Sequence, residues 1–440
     1  MRWYATPDRR LLAASVLVQL ALAPLLGHSW DTKIFMATGY LVGSGQTPYL
    51  AHNLTAVFHH AGFSVISSVG YPPPWPLVLG LLYRGVYAVV PNLIVYNFAI
   101  KLPLICAGIG LAYLVAALLI SVGAGPAAAR RAWVFLLFNP FLLYVGAAWG
   151  QIDVLVTLLA VAALAALVAR RVTVSAVLLA LAVCCKPIAA PIALVALVYL
   201  LGRSRGQAVR YAATFVVALL AFYVAPFFAL GWSRAPFLSR LNDHFVMNGT
   251  MSLTTVARLF HDPILMTGRW WWLGMVWVPA LAVAVVGLRR GIGGFDDLIA
   301  KSTALVLIFF LTRTWLAEPN IALVVVLALI LSSLGELDWR ALTALWVIPL
   351  AFTVFNASPL QLLWVAFPGT MQRSLVYVAQ YGHATLIARA ALVVAWQIAG
   401  WWVVVACFRG SRRPAAETQT KTGLPRRAEA PIGEGSPSWN

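Results

Sequence analysis

The chain has 440 residues, of which 62% are hydrophobic and 10% are charged. This composition excludes a water-soluble globular protein and predicts a polytopic membrane protein. Lys and Arg number 31 against 13 Asp and Glu, a net charge of +18. The cations lie mostly in short clusters between apolar runs, which is typical of cytoplasmic loops and argues against a nucleic-acid partner.

Thirteen apolar segments are long enough, or nearly long enough, to cross about 30 Å of hydrocarbon. They lie at residues 11–29, 75–91, 93–121, 132–149, 153–169, 173–186, 188–202, 209–230, 270–288, 303–317, 319–334, 341–357 and 389–407. The sequence therefore predicts an all-α fold with about 12 or 13 membrane helices. The four cysteines all fall within apolar runs, and their spacing is not that of a metal site or a disulfide framework.

Arginine clusters predict which loops face the cytoplasm. They lie at Arg9 and Arg10, Arg130 and Arg131, Arg170 and Arg171, Arg203 to Arg210, Arg289 and Arg290, and Arg340. The opposite, outer face would then carry large loops at 30–74 and 231–268 and a further loop at 358–388. Residues 1–408 would form the membrane domain, and the polar, proline-bearing stretch 409–440 would be a disordered cytoplasmic tail.

One of the apolar segments is expected not to cross, because cytoplasmic termini require an even number of crossings. The first choice is the stretch 71–92, which opens with the proline-rich YPPPWP and carries Arg84 in its middle. The alternative is that the short pair of segments around Lys186 and Pro187 does not form two full crossings.

Asp31 follows the first apolar segment directly, at the predicted outer interface. Residues 32–42 are expected to form an amphipathic helix whose apolar stripe lies on the membrane. Asp31 would make a good N-cap for that helix. It would also be a carboxylate placed where water meets lipid, and the two roles can coexist.

A second polar group interrupts the apolar runs at Asn139, Gln151, Asp153 and Lys186. Polar groups at the ends of membrane helices are costly unless they are paired or face a water-filled cavity. Asp153 could cap its own helix and Gln151 could satisfy a turn. Lys186, followed by Pro187, has two natural partners: a lipid phosphate, or the carboxylate of Asp153 in a salt bridge.

A third polar group, Arg313, Glu318 and Asn320, separates two apolar runs on the predicted outer side. Arg313 and Glu318 could form a structural ion pair. The alternative, which is favoured, is that they line a cavity, because polar helix breaks at membrane depth normally do so.

The large loop at 231–268 carries Asn242, Asp243, His244 and Asn248. Side chains of these types can recognise sugar hydroxyls, although solvated loops share the same composition. His244 is the binding candidate from this loop.

Several of these features together resemble one family of membrane enzymes. They are Asp31 after the first helix, TGYLVGSGQTPY, YPPPWPL, FNP followed by GQIDVL, and a later KP. Over residues 10–200 they resemble the GT-C superfamily of integral membrane glycosyltransferases. The likeness is greatest to the mannosyltransferase branch, similar to the GPI mannosyltransferases and to polyprenol-phosphate-mannose-dependent enzymes.

The resemblance implies an inverting transfer of a sugar, mannose in that branch, from a polyprenyl-phosphate donor to a lipid or glycan acceptor on the non-cytoplasmic face. Mapped onto this sequence, the family's general base is Asp31. From the polar groups themselves, the residues expected to contribute to substrate binding are Lys33, Gln151, Asp153, Lys186, Arg313, Glu318, Asn320 and His244. The family's frequent D-x-D pair is replaced by Asp31-Thr32-Lys33, and the cation of Lys33 argues against a divalent metal there. No other cofactor is expected.

Two other classes of protein compete with a transferase. Lys101 and Arg84 would suit a secondary transporter or lipid flippase, but no internal repeat typical of transporters is visible. A structural membrane protein without activity is the third reading. An Ala- and Arg-rich chain without a retention signal favours a prokaryotic cell membrane.

Overall fold

A computed structural model of the chain describes residues 8–49, 69–235, 237–238, 249–260, 268–356 and 359–409. The described part is almost entirely helical. Its one strand pair consists of β1, Gly249–Thr250, and β2, Trp315–Leu316, which run parallel with Gly249 opposite Trp315.

The α-helices follow one another along the chain with short connections. They are α1 Arg9–Leu25, α2 Asp31–Gly43, α3 Pro74–Leu82, α4 Leu93–Ser121, α5 Pro126–Phe138, α6 Pro140–Leu143, α7 Asp153–Val168, α8 Val172–Cys185, α9 Ala190–Leu201, α10 Arg205–Leu219, α11 Ala225–Ala229, α12 Thr254–Ala257, α13 Trp277–Gly287, α14 Phe295–Leu311, α15 Ala322–Leu334, α16 Trp339–Asn356 and α17 Thr370–Arg409. Short π-helical turns extend α3, α6 and α10, at Tyr83–Tyr87, Tyr144–Trp149 and Leu220–Val224.

Four helical stretches in the described residues are long and apolar enough to cross a bilayer. They are α4, residues 205–229, α16 and the part of α17 from Ala379 onward. A fifth candidate is the pair Pro126–Phe138 and Pro140–Trp149, which is bent by 42°, and five further apolar helices are shorter. The bend falls where Pro140 cannot continue the helix, and the side chain of Asn139 caps the second half by accepting from the Leu142 N–H at 3.1 Å. These helices confirm the predicted multi-pass, all-α membrane protein.

Each predicted apolar segment contains a helix, but the last helix is much longer than the predicted segment at 389–407. The expected loop at 358–388 is largely part of α17, which runs for 40 residues, about 60 Å at 1.5 Å per residue. The sequence between Pro368 and Arg409 contains no proline to stop a helix. Most of the predicted tail lies outside the described residues, and α17 ends at Arg409.

The segment expected not to cross is short. Helix α3 and its π turn together cover residues 74–87, roughly 21 Å of helix, against about 30 Å of hydrocarbon. The alternative also stays open, because α8 and α9 are broken at Lys186 and span 14 and 12 residues.

Helix α15 lies at the centre of the molecule, packed against α5, α7, α14 and α16. All of its side chains from Ala322 to Ser333 are buried. A helix that is apolar on every face is expected in such a position. The centre of the protein is therefore shielded from lipid, and the helix begins at the polar break that contains Glu318.

Candidate active site

The carboxylate of Asp31 is held by two rings. Its Oδ2 atom lies 3.1 Å from His28 Nδ1 and accepts a hydrogen bond from Trp149 Nε1 at 2.8 Å. The ring of His28 stacks on that of Trp149, with centroids 4.2 Å apart and an angle of 15°. The Asp31 side chain remains 21% exposed. The result is an oriented carboxylate that still reaches solvent.

The expectation that Asp31 caps a helix was wrong. Helix α2 begins at Asp31 itself, and its N-cap is Trp30, whose side chain makes no capping hydrogen bond. The first N–H of the helix, that of Asp31, donates instead to the side chain of His28, at 3.4 Å from Nδ1. The carboxylate instead reaches Trp149, 118 positions along the chain. Packing brings the end of α1 against the π turn that ends at Trp149, and the carboxylate satisfies the indole N–H there.

The helix expected in the first loop is confirmed, but it does not lie on the membrane with one apolar stripe. Nine of its 13 residues are buried, because α2 packs into the protein against α3. Gly39 allows this close approach, since a Cβ there would lie 2.7 Å from the Leu79 carbonyl oxygen.

Lys33 is part of this buried helix. Its side chain is 1% exposed, and its Nζ lies over the ring of Trp364, 4.8 Å from the centroid. Burial lowers the pKa of the Lys33 ammonium. Lys33 stands where the family pattern has its second carboxylate, and its ammonium lies against an indole ring.

The turn after Trp149 brings a second carboxylate near Asp31. Gly150 has a φ of +87°, the left-handed region that glycine adopts without strain, and Gln151 Oε1 accepts from the Tyr71 hydroxyl at 3.3 Å. Asp153 is fully buried and forms an ion pair with Lys186 Nζ at 2.7 Å. The predicted salt bridge is thus confirmed, and the expectation that Asp153 caps its helix was wrong, because α7 has no side-chain cap.

Lys186 is not enclosed by this ion pair. Its side chain is 14% exposed, and its positive charge acts on Asp31. Burial alone would raise the pKa of Asp31, but the contacts with His28 and Trp149 and the charge of Lys186 outweigh it and hold the pKa below its usual value. Asp31 is therefore ionised at neutral pH.

Glu318 lies in a separate network. It is 2% exposed, and its Oε1 accepts a hydrogen bond from Asn356 Nδ2 at 2.5 Å. Asn356 Oδ1 in turn accepts from Arg389 Nη1 at 3.0 Å. The network joins the helix break before α15 to α16 and α17.

The suggested ion pair between Arg313 and Glu318 does not form among the described residues. The Arg313 guanidinium lies over the ring of Phe309, 5.1 Å from its centroid. The short strand β2 lies between the two residues, and Glu318 begins the 3-10 turn that follows it. Burial lowers the pKa of Arg313 to about 10, which leaves it charged at neutral pH. Asn320 is buried beside Glu318.

The two networks are close enough to interact electrostatically. Glu318 lies within range of the charges of both His28 and Asp31. Tyr144 lies within range of both carboxylates. Residues predicted as separate polar groups at 31, 151–153, 186 and 318 therefore lie in one region of the protein.

Four contributors were missed from the sequence: Trp149, Tyr71, Asn356 and Arg389. Trp149 adjoins the predicted Gln151, and Tyr71 opens the proline-rich motif, so adjacency to a motif was the available signal. Arg389 gave none, because it lies inside an apolar run. His244, with Asn242, Asp243 and Asn248, lies outside the described residues.

Comparison with solved structures shows a known fold. The fold is similar to that of ArnT from Cupriavidus metallidurans, a structure determined with bound undecaprenyl phosphate. The TM-score is 0.51 and the identity 16%, and the match covers 92% of this chain and 77% of the other. The predicted GT-C membrane glycosyltransferase fold is confirmed.

The family follows from the sequence itself. The model of glycosyltransferase family 87 matches residues 70–319, more than half of the chain, and the chain belongs to that family. No curated protein gives a significant match. The match includes Asp153, Lys186, Arg313 and Glu318 but begins after Asp31.

Proposed function

We propose that this family 87 glycosyltransferase transfers a sugar, mannose, from a polyprenyl-phosphate donor to a lipid or glycan acceptor, with inversion at the anomeric carbon. The geometry of Asp31 carries the proposal. It is an ionised carboxylate that two rings orient and that remains partly exposed. Such a group can accept a proton from a bound hydroxyl. The bound undecaprenyl phosphate of ArnT, a protein with the same fold, supports the donor class.

In the proposed reaction, Asp31 takes the proton of an acceptor hydroxyl as that oxygen attacks the anomeric carbon. The bond between the anomeric carbon and the phosphate oxygen breaks, and its electron pair leaves with the polyprenyl phosphate. Attack from the face opposite the leaving group inverts the configuration. Asp31 acts only as a base, so no covalent sugar intermediate forms on the protein.

Cations would stabilise the negative charge of the departing phosphate. Lys186 is the first candidate, because it is partly exposed and its charge reaches Asp31. Arg313 is the second and remains charged despite burial. Lys33 is not proposed to contact the phosphate, because it is buried and its Nζ lies over the ring of Trp364.

The remaining predicted residues would orient the two substrates. Gln151 and Asp153 lie on the turn that follows Trp149, beside Asp31. Glu318 and Asn320 would contribute from the opposite side, and His244 from the second large loop. Substituting each of these residues in turn and measuring the KM for donor and acceptor would test these roles.

The donor and the sugar are tested together by one assay. Purified protein is incubated with radiolabelled polyprenyl-phosphate mannose, polyprenyl-phosphate glucose and nucleotide-linked mannose, each with lipid extract. Label moving from polyprenyl-phosphate mannose alone is the expected result. Transfer from the nucleotide sugar would refute the donor class, and preference for the glucose donor would refute mannose.

The site is proposed to face away from the cytoplasm in a prokaryotic cell membrane. Cysteines introduced in turn at positions 383, 170 and 290 should differ in their labelling by an impermeant reagent applied to intact cells. Position 383 should label, whereas 170 and 290 should not, because arginine-rich loops stay in the cytoplasm. Labelling of 170 from outside would reverse the orientation.

Membership of a glycosyltransferase family argues against a transporter. The two cations that would suit a transporter have partners within the protein. Arg84 is exposed and its Nε donates to the Gly43 carbonyl. Lys101 Nζ donates to backbone carbonyl oxygens, among them those of Ala23 and Ala148.

A further inference from the structure

Lys101 is a buried cation held by the backbone alone. Its side chain is 1% exposed, and its Nζ donates to the carbonyl oxygens of Ala23 at 3.1 Å, Leu26, and Ala148 at 2.8 Å. Within the described part of the chain, no carboxylate lies within ion-pair distance of it. Burying a charge without a counter-ion is costly. The three hydrogen bonds to backbone carbonyls offset part of that cost.

The three carbonyls belong to the two segments that form the candidate site. Ala23 and Leu26 lie at the C-terminal end of α1, with Leu26 two residues before His28, and Ala148 immediately precedes Trp149. Carbonyls at a helix C-terminus lack partners within the helix and carry partial negative charge. One ammonium group therefore ties the segment that bears His28 and Asp31 to the segment that bears Trp149.

The Lys101 side chain packs closely against Gly150, where any larger residue would collide with it. Gly150 has a φ of +87°, and a Cβ there would lie 2.8 Å from Lys101 Cε. A direct backbone contact between the same two segments, from the His28 N–H to the Trp149 carbonyl, is longer at 3.5 Å. Lys101 thus supplies the shorter connection between them.

We propose that Lys101 is a positioning residue for glycosyl transfer. By joining the Leu26 and Ala148 carbonyls, it sets the stacking of His28 on Trp149 and the hydrogen bond from Trp149 to Asp31. Its effect on the rate rests on the proposed role of Asp31 as the base, whereas its effect on the geometry does not.

Asn97 offers a matched control on the same helix, one turn before Lys101. It is buried, and its Nδ2 donates to the carbonyls of Ala23, Pro24 and Leu26 at 2.8, 3.0 and 2.7 Å. It makes no bond to Ala148. Asn97→Ala therefore weakens the cap on α1 and leaves the connection to the Trp149 segment in place.

The test observes Trp149 directly. The protein is labelled with 5-fluorotryptophan, and the Trp149 fluorine resonance is identified as the one lost in Trp149→Phe. Lys101→Met should shift or broaden that resonance, because the ring environment set by His28 changes. Asn97→Ala should lower the melting temperature and leave the resonance in place.

Kinetics on the same variants separate positioning from loss of folded protein. Misplacement of a catalytic group costs on the order of a hundredfold in kcat, so Lys101→Met should lose about that much per folded molecule, with KM for the donor within about twofold. Adding Trp149→Phe to Lys101→Met should cost little more, because both changes disrupt one contact.

An unmoved Trp149 resonance in folded Lys101→Met would overturn the proposal, as would fully additive losses in the double variant. If Lys101→Met yields no folded protein, Lys101→Arg serves instead. Its larger head group must displace the turn at Gly150, so the resonance must again move. Near wild-type activity of Asp31→Asn would refute the base assignment alone, since the resonance comparison does not depend on it.

Discussion

The carboxylates of Asp31 and Glu318 come from opposite halves of the chain and lie in regions of different character. Asp31 is the first residue of α2, its side chain is 21% exposed, and its carboxylate contacts an imidazole and an indole. Glu318 is 2% exposed at the start of the central helix, and its partner is the amide of Asn356, which also binds Arg389.

The difference indicates what each group can do. A general base must reach the hydroxyl whose proton it takes, and Asp31 is open to such a group. Glu318 is almost fully buried and already accepts a hydrogen bond from Asn356, so a substrate hydroxyl has less access to it. Burial therefore distinguishes the carboxylate that is proposed as the base from the one that is proposed to support the site.

The largest expected effect is that of Asp31→Asn. The amide keeps an oxygen that can accept from Trp149 but cannot act as a base, and loss of a general base costs on the order of a hundred- to ten-thousandfold in rate. Transfer of radiolabelled sugar per folded molecule measures it, with the melting temperature as a control. Near wild-type transfer would remove the distinction between the two regions and make Glu318 the next candidate.

The second expected effect is on stability, at Lys186. Lys186→Met leaves the buried Asp153 carboxylate without its partner, and breaking a buried ion pair costs about 3 to 5 kcal/mol. Thermal unfolding in detergent measures the loss.

The double variant Lys186→Met with Asp153→Asn separates folding from donor binding. It should recover most of the stability, because no buried charge is left unpaired. If Lys186 also contacts the donor phosphate, sugar transfer should stay low in the double variant even though its stability has recovered. Full recovery of both would leave Lys186 with a structural role only.

A smaller effect is expected at Glu318. Glu318→Gln keeps an oxygen that accepts from Asn356, so we expect less than about a tenfold loss of rate and a change in stability of about 1 kcal/mol, the usual net value of a hydrogen bond. Glu318→Ala, which removes the acceptor of the half-buried Asn356 Nδ2 group, should destabilise more. A thousandfold loss in well-folded Glu318→Gln would contradict the comparison.

The smallest expected effect is a shift in pH dependence. A general base acts when deprotonated, so activity falls as the pH falls through its pKa. The pKa of Asp31 is held below its usual value, so the acid limb of kcat/KM should lie below that of an ordinary Asp. Trp149→Phe removes one hydrogen bond to the carboxylate and should move this limb to higher pH. An unmoved limb would show that another group titrates there.

The sequence was enough to identify many residues of the candidate site, but not the contacts that these residues make with one another. Asp31, Gln151, Asp153, Lys186 and Glu318 were visible because polar side chains at the ends of apolar runs need a reason to be there. The Lys186–Asp153 pair was foreseen as one of two alternatives. The cap by Asp31 and the Arg313–Glu318 pair were wrong because both were inferred from neighbours in sequence.

Hydropathy along the chain was enough to predict the membrane class, the all-α fold and the position of a helix in each apolar segment, because it acts locally on each stretch of chain. The contacts of the polar side chains depend on how the helices pack. Trp149 reaches Asp31 across 118 residues, and Lys101 reaches Ala148 and the end of α1 from a largely apolar helix. Such contacts depend on how helices pack against one another, and no local pattern encodes the side chain that a packed neighbour will present.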